Sequence, residues 1–223
     1  MAEESSQPAA VECVDDDVLV SIDVEGGGNL IDCPLVSVGL AILSKYGLVR
    51  SRMDIKRQWD EEIDNKLWWE KEKRPDGTPL FDFFQQNAVS EKEALKCINE
   101  HITGLQEACQ ILDSRFVLIS DNPRYDIGVL EHAMLKHGLR KYSLAAPDRG
   151  VYYGVQDPAS EIEHHPLQEE LYHRVAEQVS HYEHHRHLPE CDATWNLFLY
   201  IELHPEYKIL LPKPNEPNSS YTI

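Results

Sequence analysis

Residues 18–24 read VLVSIDV, an apolar, β-branched run of strand length that marks a buried central strand with a carboxylate near its end. Residues 35–43 (LVSVGLAIL) predict a second strand and 49–55 a weaker third, so the three form a meander. The chain then turns helical over 59–69. After the turn Pro75-Asp76-Gly77, a longer helix starts at Ser90, with Glu93 completing a capping box, and reaches about residue 109. Residues 116–119 (FVLI) suit a short buried strand, and 125–137 (YDIGVLEHAMLKH) carry helical periodicity that stops at Gly138. A fifth strand is expected at 151–155, a helix at 167–179, and a last helix from Pro189 onward (PECDATWNLFLYIEL), with proline in its first turn. Strands come first and then alternate with helices, which predicts an α/β protein with a mixed five-stranded sheet flanked by helices.

The 223 residues suffice for one domain with a substantial core. Residues 1–16 are acidic and aperiodic, and 211–223 are rich in Pro, Asn and Ser, so both read as flexible ends around a single domain at 17–210. No stretch approaches the roughly 20 apolar residues of a membrane span, and the N-terminus lacks the pattern of a secretory signal. A cytoplasmic protein with reduced thiols is expected, since Cys13, Cys33, Cys97, Cys109 and Cys191 show no paired spacing. With 21 Lys and Arg against 39 Asp and Glu, the net charge of −18 repels a phosphate backbone at long range. That excludes a duplex-coating protein but not an enzyme whose surplus carboxylates bind divalent metals.

Asp23 and Glu25 close the first strand. Alternate residues share a face, so both carboxylates point the same way, and hard oxygen donors suit Mg²⁺ or Mn²⁺. Two solvated strand-end acids explain the pair equally well. Gly26-Gly27-Gly28 then leaves room for a substrate to approach the backbone, or simply makes a turn. In SDNPRYDIGVLEHAM, Asp126 lies at the start of a helix just after a strand, where capping is the plain alternative. Asp121 competes as a ligand, but before Asn122-Pro123 it reads as a turn residue. Seven of the eleven histidines fall within 164–187, and of His181, His184, His185 and His187 only His187 is followed five positions later by an aspartate, Asp192. The tract itself reads as a solvated, flexible loop that gains positive charge on acidification, and its spacing does not suit zinc with Cys191.

Taken in order, D-x-E, N-x-x-Y-D-x-x-x-L and H-x4-D resemble the motifs of the DEDDh, or DnaQ-like, 3′-5′ exonucleases of the ribonuclease H-like fold, and they span most of the chain. The resemblance implies metal ligands at Asp23, Glu25, Asp126 and Asp192 for two Mg²⁺ or Mn²⁺ ions, and His187 as general base. It further implies a single-stranded RNA or DNA substrate with a free 3′ end, nucleoside 5′-monophosphate products, and a homodimer as one possible assembly. Asn122 matches the polar position before the second acidic motif and is a candidate substrate contact, as is Gly26. Leu67-Trp68-Trp69-Glu70 resembles the paired tryptophans of a ribonuclease AS-like branch, without the threonine upstream. On that basis Trp68 and Trp69 are candidate base-stacking residues, core being the alternative, and RNA is favoured over DNA. Competing readings are a catalytically silent nucleic-acid-binding module and a nucleotidase indifferent to chain ends.

Overall fold

The structure is a computed structural model that describes residues 16–139, 155–182 and 185–211. Strands β1 (Val18–Gly26), β2 (Leu35–Ser44) and β3 (Gly47–Asp54) form the expected antiparallel meander. β4 (Phe116–Ile119) joins β1 on its other side in parallel, and the two-residue β5 (Val155–Gln156) continues the parallel half. The order β3-β2-β1-β4-β5 makes the mixed five-stranded sheet predicted above, with β1 at its centre. Of the fifth strand expected at 151–155, residues 151–154 lie outside the described residues, as do nearly all of the two flexible ends.

The period-two pattern of β1 divides the core. Val20, Ile22 and Val24 face the long helix α4 (Glu91–Leu112) and α5 (Pro123–Lys136), packing with Leu95, Ile98, Leu130 and Met134. The opposite face turns Leu19 toward α7 (Gln168–Val179) and α8 (Pro189–Leu203), where Val175, Leu197 and Ile201 cover it. A third cluster gathers Trp69, Phe81, Phe84 and Leu188 beyond the end of the sheet. A short 3-10 turn at Pro205–Leu210 follows α8 and packs Tyr207 and Leu210 beneath it. α4 begins as its sequence requires: Ser90 Oγ accepts the Glu93 N–H at 3.3 Å. Among the described residues no helix is long and apolar enough to cross a membrane, and Cys33, Cys97, Cys109 and Cys191 are free thiols.

Two expectations need correction. The helix expected over 59–69 is split into α1 (Trp59–Glu62) and α2 (Lys66–Trp69), because the Gly27 carbonyl accepts the N–H groups of Asp64 and Asn65 at 2.7 and 3.1 Å. A further helix, α3 (Leu80–Gln85), follows and buries Leu80, Phe81 and Phe84. The histidine tract is not one flexible loop either. α6 (Pro158–Ile162) ends just before it, and it contains all of α7, the helix expected at 167–179, which is amphipathic and buried through Leu171, Val175 and Val179.

One contact sets the position of α8. Gly39 of β2 stands opposite Asp23, and a Cβ built on it would lie 2.0 Å from the Pro189 carbonyl carbon and 2.1 Å from the Glu190 nitrogen. Backbone cannot yield as a flexible side chain does, so Gly39→Ala should cost about 1–3 kcal/mol or more by overpacking. Gly104, inside α4, has nothing within 4 Å of such a Cβ, and Gly104→Ala should gain about 0.5–1 kcal/mol. Urea midpoints at constant m-value measure both. A Gly39→Ala chain as stable as its parent would contradict the close approach.

Candidate metal centre at the end of the central strands

β4 runs parallel to β1 and ends opposite Ser21, so the chain that leaves β4 runs on beside Asp23. Asp23 and Glu25 leave β1 on the face covered by α8. Beside them, Ser120 and Asp121 follow the last residue of β4, and Asn122 caps the start of α5. Asp126 is buried in the first turn of α5, where its Oδ2 accepts the Ser120 hydroxyl at 2.6 Å. The first turn of α8 supplies Asp192, whose Oδ2 accepts the His187 backbone N–H at 2.7 Å. That bond closes a turn in which His187 has φ of 64°, a left-handed conformation uncommon for a side chain of this size.

Side-chain donors of Asp23, Asp121 and Asp126 lie within 4.8 Å of one another, and those of Glu25, His187 and Asp192 do the same. The electrostatics join the two groups. Asp23 is held well above the usual carboxylate range, first by burial and then by repulsion from Asp126, Glu25, Asp192 and Asp121. Burial also raises Asp126, lifts Glu25 to about 7 and lifts Asp192 to about 6. His187 shifts upward because the Glu25 carboxylate lies beside its ring, with Oε1 3.6 Å from Nδ1. On the far side of the ring, Glu72 Oε2 is 3.8 Å from Nε2. Desolvated, mutually repelling carboxylates from three segments of chain fit hard divalent cations such as Mg²⁺ or Mn²⁺, and Asp23, Glu25, Asp126 and Asp192 all stand in the set.

Asp121 joins this set although its sequence context reads as a turn. The available signal was its place at the end of a strand parallel to β1, since ligands of open α/β sheets bind beyond the carboxyl ends of strands. Glu72 carried no such signal, because the loop after α2 reaches His187 only through the tertiary fold.

A hollow of about 430 Å³ opens beside Glu25, lined by Gly26, Asn65, Trp68, Asn122 and Tyr125 among others. Gly26 is required here by packing, as a Cβ would lie 2.3 Å from Tyr125 Oη, which donates to the Gly28 carbonyl at 2.7 Å. Trp68 is half-buried and stands edge-on to the His187 ring at 5.0 Å. Trp69 departs from the expected base-stacking role. It is 0% exposed, packed edge-on against Phe81 and Phe84, because the short α2 turns one tryptophan to the cavity and its neighbour to the core.

No protein-family model matches the sequence, and no curated protein is significantly similar to it. Solved structures do match. That of Pop2p from S. pombe in its Mg²⁺- and Mn²⁺-bound form aligns with a TM-score of 0.51 at 12% identity, over 92% of this chain and 90% of that one. The chain has a ribonuclease H-like fold.

The raised acids make a thermodynamic prediction. Glu25 and Asp192 have ordinary values of 4.5 and 3.8 when unfolded but titrate near 7 and 6 when folded, so between these limits the folded chain binds more protons. Metal-free stability contributed by this pair is therefore present at acid pH and lost as pH rises through the folded values. A divalent cation held by the ionised set would offset that loss. Melting temperatures in EDTA and in Mg²⁺ or Mn²⁺ should nearly coincide at about pH 5. Above about pH 7, at roughly 100-fold excess over the dissociation constant, they should separate by about 5 °C or more. A gap independent of pH would refute the assignment of these carboxylates to a cation.

Proposed function

We propose that the chain is a metal-dependent 3′-5′ exonuclease that removes nucleoside 5′-monophosphates from single strands with a free 3′ end, RNA in preference to DNA. The observation that carries this reading is the convergence of Asp23, Glu25, Asp126 and Asp192 with His187 at one end of a ribonuclease H-like sheet. Residues 17–210 act as one catalytic domain on this proposal, with a homodimer as one assembly compatible with it.

The four carboxylates, with Asp121 beside them, would hold two Mg²⁺ or Mn²⁺ ions, which supply activation of water and neutralise charge on the scissile phosphate. The side chains of the protein do the rest. His187 Nδ1 faces the acid cluster and takes the proton of the attacking water, while Glu72, near Nε2, favours the imidazolium that results. Asp192, through its bond to the His187 N–H, fixes the loop that presents the ring. Trp68, Asn122 and Tyr125 line the hollow that receives the terminal nucleoside, where the indole offers a stacking surface and Asn122 polar contacts.

His187→Ala and Asp192→Asn should each lower turnover by about 10²–10⁴-fold with the melting curve retained. The readout is a ladder of shortened products from a 5′-labelled oligonucleotide, absent when its 3′ hydroxyl is blocked. Matched RNA and DNA strands measure the sugar preference. Unchanged turnover in either variant, or cleavage of a blocked end, would reject the proposal. The tryptophans should separate cleanly: Trp69→Ala costs about 3–5 kcal/mol of stability, whereas Trp68→Ala keeps the fold and raises KM.

A further inference from the structure

A second hollow, of about 470 Å³, lies on the other side of Trp68 from the first. Both share this tryptophan. Glu25 lines the first and His187 the second, and these two side chains approach to 3.6 Å, so the acid cluster sits where the hollows adjoin. Their linings differ in kind. Around the first, Asn29, Asn65 and Asn122 present neutral amides. The second carries Lys73, Arg74, His185 and Arg186, with Glu72 as its one carboxylate, and Glu72 is directed at the His187 imidazole.

In a chain with 21 Lys and Arg against 39 Asp and Glu, such a lining is a local reversal of sign. Charges are screened beyond about 8–10 Å at ordinary salt, so a bound group responds to this lining more than to the net charge. The backbone that carries these cations is held in place by the fold. Lys73 is pinned through its backbone by an antiparallel bridge to Pro79, and the turn bearing Arg186 is closed by the Leu188 N–H on the His185 carbonyl at 3.1 Å. The Arg74 guanidinium lies 4.2 Å over the Phe83 ring and 3.4 Å from Asp76, which gives it a structural role as well.

We infer that this hollow is a phosphate subsite for the polymer: it receives the backbone phosphate next to the scissile one, on the side away from the terminal nucleoside. The inference rests on the exonuclease reading and adds to it a substrate class. Strands with at least two linkages engage both hollows, whereas a dinucleotide, with a single linkage, has no phosphate to place in the second. Lys73 and Arg186 hold that phosphate as point charges and forked donors respectively.

The test has a binding arm and a turnover arm. In the His187→Ala background, a 5′-fluorescein single-stranded RNA of ten nucleotides is titrated by fluorescence anisotropy across a range of NaCl. Adding Lys73→Gln and Arg186→Gln should weaken binding by roughly ten-fold and make the slope of log K against log salt shallower by about 0.7, since a single strand contributes about 0.7 per neutralised phosphate and the subsite holds one. In the otherwise unaltered enzyme, the same double exchange should lower kcat/KM roughly ten-fold more on the ten-nucleotide RNA than on the dinucleotide, because any effect of Arg186 on Asp192 is common to both substrates. An unchanged salt slope, or equal loss on both substrates, overturns the subsite. Should the parent cleave neither substrate, the exonuclease reading fails on its own, and the binding arm still decides whether Lys73 and Arg186 hold phosphate.

Discussion

Where β2 passes beneath the first turn of α8, at Gly39, there is no room for a side chain, and the geometry of the acid centre depends on that contact. Gly39 pairs with Asp23, so the place where the helix backbone touches the sheet lies directly beside the first carboxylate. The approach is fastened from the neighbouring strand. Arg52 reaches Glu190 at 2.9 Å and Asp54 at 3.0 Å, Ser37 donates to Asp54 at 2.7 Å, and Arg50 donates to the Cys191 sulfur at 3.1 Å. With the first turn of α8 so held, Asp192 projects over the end of β1 and draws the His187 turn after it. A residue in a left-handed conformation persists when its surroundings over-determine it, and the bond from its own N–H to Asp192 is part of that determination.

The centre works against the stability of the fold that holds it. Carboxylates buried side by side raise one another's proton affinity, and their charged forms are costly without a counter-ion. What carries that cost is the apolar packing on both faces of β1, whose even-numbered residues meet α4 and α5 while Leu19 meets α7 and α8. Division of the chain into a rigid sheet and a repelling rim is the general pattern of a site whose affinity for metal exceeds what its metal-free form would choose.

Much of this was legible in residue order. Alternation along 18–24 identifies both the central strand and the shared face of Asp23 and Glu25, because strand parity is local. The capping pattern at Ser90 and the proline at 189 mark helix starts for equally local reasons. Spacing alone separated His187 from its neighbours in the tract. What could not be read was set by distant chain: the Gly27 carbonyl interrupts a helical pattern over 59–69, and the parallel pairing of β4 with β1 turns Asp121 from a turn residue into a neighbour of Asp23. The two tryptophans show the limit most plainly. Identical residues, adjacent in sequence, differ in fate because a four-residue helix points them in directions that no periodicity within so short a segment could specify.

An acidic protein proposed to act on a polyanion needs its attraction to be local, and the arrangement around Trp68 meets that need in two parts. The carboxylates on one side would favour phosphate only when neutralised by cations, which on the proposed function would make metal loading a condition for binding as well as for chemistry. On the other side, Lys73 and Arg186 line the inferred subsite, where their attraction for phosphate would need no metal and act only at short range. The long-range field of the −18 chain, meanwhile, disfavours extended duplexes with their dense charge more than short single strands. Selection for single strands would then arise from the contrast between a repelling surface and the local cationic lining of the second hollow.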